Sequence, residues 1–224
     1  MRLGLTPLVL LAALGVEFVC RTPALGEDRA IIVLLFVRST DAHAEDAKQA
    51  LNDLAAAYQR QKGKRCLVAR IKTVPDDPIA QAKLDEIGSY LGIANPQTPL
   101  VYSCRQAVVG YSDKTTFVAQ IKGLLTARLV HGGDYCHACK DIPKLVAALA
   151  TKYPGLIIKE VDQDTEEGSD EKQQLKKRYE VNGLLMQIPA YVVADKLLPY
   201  APPAHPLAMQ LFDETLSEWS VSNR

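Results

Sequence analysis

The segment Asp134-Tyr135-Cys136-His137-Ala138-Cys139-Lys140 decides how this 224-residue chain is read. It follows a short apolar strand pattern, Arg128 to His131. It precedes Ile142, Leu145, Val146 and Leu149 at i, i+3, i+4 and i+7, the spacing of an amphipathic helix. Two cysteines three apart at a helix start can close a small disulfide ring and reopen it. Free N–H groups and the helix dipole at that end stabilise a thiolate, so Cys136 is expected to ionise readily. A protonated His137 would add to that stabilisation. Cys139, one turn further in, is expected to be the more sheltered, which suits a resolving thiol. Exchange would run by attack of the Cys136 thiolate on a disulfide, giving a mixed disulfide that Cys139 resolves.

Downstream, Leu156 to Val161 reads as the next strand. The charged run Gln163 to Lys172 holds Gly168 and is expected to begin as a solvated loop, with Leu175 and Tyr179 on the helix after it. Ile188-Pro189 precedes a strand over Ala190 to Ala194. The proline-rich stretch Pro199 to Pro206 reads as a loop, and a last helix spans Leu207 to Trp219.

Upstream the same order appears. Ile31 to Val37 is an unbroken β-branched and apolar run, as in a strand covered on both faces. Ala47, Leu51, Leu54 and Tyr58 mark a helix ending near Gly63, and Cys66 to Ile71 reads as a strand. Asp77-Pro78 is an N-cap followed by a first helical position, opening a helix with Leu84, Ile87 and Leu91. After Thr98-Pro99 come two short strands, Leu100 to Ser103 and Ala107 to Gly110, and a helix with Phe117, Ile121 and Leu124. Strands alternating with helices predict an α/β sheet in each half, with the boundary near Thr126.

Other readings of the cysteine pair compete. One C-x-x-C supplies two zinc ligands; His131 and His137 could complete a set, although no second pair stands at ligand spacing. Haem attachment would need histidine where Lys140 stands. A purely structural disulfide across so small a loop would remove little chain entropy.

The amino terminus bears on where such chemistry could occur. Met1-Arg2 is a short positive region, Leu3 to Val16 is almost wholly apolar, and Ala24-Leu25-Gly26 offers a small-x-small cleavage pattern. Residues 1–26 are expected to be a cleaved secretory signal, sending the mature chain to a disulfide-permissive compartment, secreted or periplasmic. A membrane-anchored form is disfavoured because the apolar run is shorter than the ~20 residues that span a bilayer. Lipid attachment at Cys20 meets Glu17 and Phe18 where small or aliphatic residues are wanted. The carboxyl end, Val221-Ser222-Asn223-Arg224, is not a retention signal. The 26 basic and 26 acidic residues balance, which argues against nucleic-acid binding, and 48% hydrophobic content is that of a folded protein.

With these features in place, residues 128–200 resemble a thioredoxin-fold domain. The resemblance rests on Tyr135-Cys136-x-x-Cys139-Lys140, on Pro143 in the following helix, and on Ile188-Pro189 before a strand. It implies that Cys136 is the nucleophile and Cys139 the resolving thiol. It further implies that Pro189 is cis and faces the dithiol, with Ile188 pairing its backbone to an extended substrate beside Tyr135. Residues 29–125 resemble the same fold, with Thr98-Pro99 in the cis-proline place. Alignment puts Asp41-Ala42-His43-Ala44 where Cys136 to Cys139 stand, so this half lacks the dithiol.

The expected architecture is therefore α/β: a signal peptide (1–26), an inert thioredoxin-like domain (27–126) and an active one (127–224), each a mixed sheet flanked by helices. Such tandem modules resemble secreted thiol–disulfide oxidoreductases and disulfide isomerases. Protein thiols or disulfides and a redox partner protein are the implied partners, and no cofactor is implied. A redox-inactive binding or scaffold protein, or a metal-handling module, remains the alternative.

The sequence departs from the family in several places. His-Ala stands between the cysteines, and the family's buried acid falls at Val130. Glu160 is the best replacement for it in proton transfer, against its reading as a solvated rim residue; Asp134 could act at the surface. Leu184 to Gln187 add to the loop before Pro189. Cys66 and Cys104 are expected to be two strand spacings apart, ~9.6 Å, and free. His43 is expected to face solvent.

Overall fold

The computed structural model describes residues 28–133, 135–181 and 187–222. The expected signal segment (1–26) with Cys20, Asp134, residues 184–186 of the inserted loop, and Asn223-Arg224 lie outside them. Among the described residues, no helix is long and apolar enough to cross a membrane.

The first half opens with strand β1 (Arg29–Val37), helix α1 (Ala44–Lys62), strand β2 (Leu67–Thr73) and helix α2 (Pro78–Leu91). Strands β3 (Leu100–Ser103) and β4 (Gln106–Val109) and helix α3 (Lys114–Leu124) complete it. Its strands lie in the order β2-β1-β3-β4, with β1 parallel to β2 and antiparallel to β3. The apolar run of β1 is buried along most of its length in one core with Leu51 and Leu54 of α1 and Phe117 and Ile121 of α3. Local signals fix the helix ends. The Asp77 carboxylate accepts from the N–H groups of Ile79 and Ala80, and Gly63 ends α1 at φ 68°.

The second half repeats the plan. It contains strand β5 (Thr126–His131), a 3₁₀ turn (His137–Asp141), helix α4 (Ile142–Lys152), strand β6 (Ile157–Asp162) and helix α5 (Glu166–Arg178). Strands β7 (Ala190–Val193) and β8 (Lys196–Leu197) and helix α6 (Pro206–Leu216) follow. The strand order β6-β5-β7-β8 mirrors the first sheet. Each half closes on a two-residue hairpin whose central residues both have positive φ, Cys104-Arg105 and Ala194-Asp195. The result is a mixed α/β molecule of two sheets flanked by helices.

Three sequence expectations change. Helix α5 begins at Glu166, within the run expected to start as a loop. Thr165 caps it by accepting from the Gly168 N–H at 3.1 Å, and Glu166 and Glu167 suit the positive end of the helix. Gly168 is no breaker there: a Cβ would lie 1.9 Å from the Asp162 carbonyl oxygen, so only glycine fits. Strand β8 was unforeseen because two residues carry no alternation to detect.

The tail is the third change. A 3₁₀ turn (Ser217–Trp219) follows α6, and strand β9 (Ser220–Ser222) then pairs antiparallel with β1 of the first sheet, Ile31 opposite Ser220 and Arg29 opposite Ser222. Strands β3 and β9 thus share one edge of β1, end to end. Between them the buried Ser103 hydroxyl donates to the Ile32 carbonyl at 2.7 Å, filling the gap in the ladder. One hydrophobic core accordingly draws Leu35, Leu51 and Ile121 from the first half and Leu129, Tyr191 and Phe212 from the second. A smaller cluster of Val130, Val161, Leu175, Ala190 and Val192 covers the other face of the second sheet. Lys152, almost wholly buried, pairs with Asp213 at 2.5 Å, and the Tyr153 hydroxyl donates to the same carboxylate at 2.7 Å, tying α4 to α6. Burial first, and then that hydrogen bond, push the Tyr153 phenol far up.

Candidate active site

The loop after β5 carries the cysteine pair. A disulfide joins Cys136 to Cys139 across a Cα–Cα distance of 5.3 Å. The segment is a 3₁₀ turn rather than the first turn of an α-helix, and Pro143 supplies the reason. Its nitrogen has no hydrogen to give the Cys139 carbonyl four residues back, so that carbonyl accepts from Ile142 instead.

The two sulfur residues are covered alike, Cys136 at 7% and Cys139 at 8% exposure, so the expected difference in shelter is absent. The turn and the disulfide hold both side chains against the main core, to which both belong. His137 is exposed.

On the approach to the cysteines, Gly132 lies between two of the expected substrate-facing residues. A Cβ on Gly132 would stand 2.8 Å from the Tyr135 hydroxyl and 2.9 Å from Ile188 Cδ1, so the ring and the isoleucine converge on its bare Cα. Tyr135 itself is 64% exposed. Ile188 is half-buried and Pro189 buried, and the bond between them is cis. Thr98-Pro99 in the first half is cis as well, as is Val74-Pro75.

The Tyr135 ring is held by its hydroxyl end, the end that meets Gly132. Its hydroxyl donates to Asp164 Oδ1 at 2.6 Å, while the Gly133 N–H donates to Asp164 Oδ2 at 2.6 Å. Gln163 donates its side-chain amide to the same hydroxyl, and Lys172 donates to the Gln163 amide oxygen. The hydrogen bonds from Tyr135 and then Gly133 hold the Asp164 carboxyl below the usual carboxylate range; the Asp164 bond also raises the Tyr135 phenol. Neither Asp164 nor Gln163 was singled out from sequence. They sit in a charged run that looks like any solvated loop, and only their position beside Gly132-Gly133 marks them.

Glu160 is half-exposed at the rim, with its Oε2 3.9 Å from His131 Nε2. Val130, expected to align with the buried acid of thioredoxins, is fully buried in the smaller apolar cluster. Among the described residues, no three His, Cys, Asp or Glu side chains gather as metal ligands.

In the first half, Cys66 and Cys104 are free and buried. Strand β1 lies between the strands they flank, as expected. The Cys66 thiol donates to the Lys64 carbonyl at 3.3 Å, and burial raises it. Burial pushes Cys104 up to about 11. His43 is half-exposed, stacked on Tyr111 with ring centroids 5.4 Å apart.

No family model and no curated protein matches the chain. Among solved structures, it is similar to a mutant of the alkylhydroperoxide reductase AhpF from Enterococcus faecalis and to the NTD_N/C domain of the same reductase. In each case identity is 14%, coverage is 84% of this chain and 91% of the other, and the TM-score is 0.28. A likeness of that extent assigns no family.

Proposed function

We propose that this chain is a thiol–disulfide oxidoreductase of tandem thioredoxin-like build, acting on protein disulfides through Cys136 and Cys139. The observation that carries the reading is the Cys136–Cys139 disulfide in the turn between β5 and α4, beside the surface where Tyr135, Gly132 and Ile188 meet. In the reduced protein, the Cys136 thiolate attacks one sulfur of a client disulfide. The client S–S bond breaks, its other sulfur leaves as a thiolate, and a mixed disulfide forms. The Cys139 thiolate then attacks Cys136 Sγ, closing the internal disulfide and releasing the second client thiol. Run backwards, the same steps oxidise a client dithiol. Ile188 pairs its backbone to the client segment beside Pro189, and residues 1–26 export the chain to the periplasm or extracellular space.

The test is disulfide exchange on a model protein disulfide together with the reduction potential of the pair. Cys136→Ser is expected to lower exchange by about a thousandfold or more. Full activity in that variant would overturn the proposal. A second reading, a binding protein with a static disulfide, is favoured by the near-complete cover of both cysteines. It predicts a potential below about −300 mV, where structural disulfides lie, and no turnover.

A further inference from the structure

Helix α2 carries an exposed face that neither the core nor the exchange chemistry uses. Its buried residues are Ala80, Leu84, Ile87 and Gly88. On the exposed side stand Ile79, Lys83, Glu86 and Tyr90, spaced by four, three and four, so they form one stripe along the helix. Ile79 is 79% exposed, the highest value for a large apolar side chain among the described residues, and Tyr90 is 54% exposed at the other end. Single apolar residues on a surface are ordinary, but here two of them bracket an ion pair on one stripe. Between them Lys83 donates to both Glu86 carboxylate oxygens at 2.8 Å. The Arg105 guanidinium lies over the Tyr90 ring, 5.8 Å from its centroid, and 3.7 Å from Glu218, so the ring is backed by the β3–β4 hairpin. Ala82 and Ser89 beside the stripe are exposed and small, which leaves room for close approach.

The stripe is complementary to its own reversal. Ile79 lies five residues before Leu84 and Tyr90 five after Asp85; Lys83 lies one before Leu84 and Glu86 one after Asp85. A two-fold axis through the middle of the helix therefore sets Ile79 of one copy against Tyr90 of the other, and Lys83 of one against Glu86 of the other, each contact occurring twice. We infer that this face of α2 is where a second copy of this chain docks, antiparallel and two-fold symmetric. An isologous contact requires a patch that fits itself, and a stripe with like charges at positions 83 and 86 would repel its own image. In the dimer four charges alternate around the axis and an apolar pair closes each end. Antiparallel helices also set opposite dipole ends side by side. One 14-residue helix from each copy buries less than the ~1,200 Å² of a standard interface, so the dimer is weak and forms at high protein concentration. Helix α2 belongs to the first half, so the contact makes no use of the cysteine pair.

Sedimentation equilibrium of the full chain, from about 10 μM to about 1 mM, is expected to show a reversible monomer–dimer equilibrium. Lys83→Glu alone, or Glu86→Lys alone, brings like charges together at two places and is expected to weaken the dimer about tenfold or more. Mixing the two variants in equal amounts restores association, because each contact between the unlike copies again joins opposite charges. The double variant, Lys83→Glu with Glu86→Lys, restores it as well. Ile79→Ser, at a side chain the fold leaves exposed, weakens the dimer about tenfold with the urea midpoint unchanged. A chain that stays monomeric throughout overturns the inference. So does association that none of these variants changes, the result expected if the apolar run Leu3 to Val16 drives it. Failure of the mixed variants to associate overturns it too.

Discussion

In the first half, the Asp41 N–H donates to the Arg38 carbonyl and the Ala44 N–H to the Asp41 carbonyl, both at 3.1 Å. In the second half, the Cys136 N–H donates to the Gly133 carbonyl at 3.0 Å and the Cys139 N–H to the Cys136 carbonyl at 2.9 Å. The backbone turn between first strand and first helix is thus built twice, with Asp41 and Ala44 standing where the two sulfurs stand. What differs is its lining. The Asp41 carboxylate bonds back to the Arg38 N–H at 2.7 Å and closes the turn on itself, while the second turn is closed by the disulfide and leads from a loop gripped by Asp164. The turn is therefore common to both halves, and its side chains set the two apart.

The sharpest way to test that equivalence is to write the missing sulfur into the first half. Asp41→Cys with Ala44→Cys is expected to form a second disulfide, seen by mass as protection of both thiols from alkylation in denaturant. Two reactive thiols there would break the comparison.

The next effect concerns how closely the halves are joined. A Cβ on Gly155 would lie 2.3 Å from the Cys66 carbonyl oxygen, backbone against backbone. Gly155→Ala is expected to cost about 3 kcal/mol in urea unfolding, the upper end for overpacking. A loss below about 1 kcal/mol would mean that the halves separate there without strain.

Smaller is the effect of Ser103, which bridges the gap between β3 and β9 and has no counterpart role in the second sheet. Ser103→Ala leaves the Ile32 carbonyl without this donor and is expected to cost about 1–2 kcal/mol by the same measurement. An unchanged midpoint would show that the join does not need it.

The smallest effect separates the two kinds of cysteine by pH. Burial holds Cys104 up at about 11 and Tyr102 up at about 12, against ordinary values of 9.0 and 10.0. A folded value above the unfolded one favours the neutral form in the folded state. That stability is complete below the unfolded values and is lost as pH rises through about 9 toward the folded values. The urea midpoint should fall over this range, and Cys104→Ala should make the fall shallower. An identical slope in that variant would mean that Cys104 ionises as freely folded as unfolded.

Legibility in the sequence follows the same division. Nearly every strand and helix of both halves shows there, because runs such as Ile31 to Val37 and caps such as Asp77-Pro78 act over a few residues. Helix α5 shows less well, because Gly168 reads as a breaker until the Asp162 carbonyl is seen against it. The cysteine pair and the proline before β7 stand out by residue type. The Asp164 grip does not, since its two partners, Tyr135 and Gly133, stand 29 and 31 residues away in the chain, and charge in a loop looks the same whether it is solvated or bonded.

By itself, then, the sequence determined the alternation of elements, the repeat, and the single turn that carries two thiols. Each follows from periodicity, capping and spacing, which act locally. The tertiary structure alone decided that β9 returns to the first sheet, that both cysteines are equally covered, and that Tyr135, Gly132 and Ile188 meet beside them. Those outcomes depend on which distant surfaces pack together, and three residues of tail strand or one bare Cα carry no local signal of that.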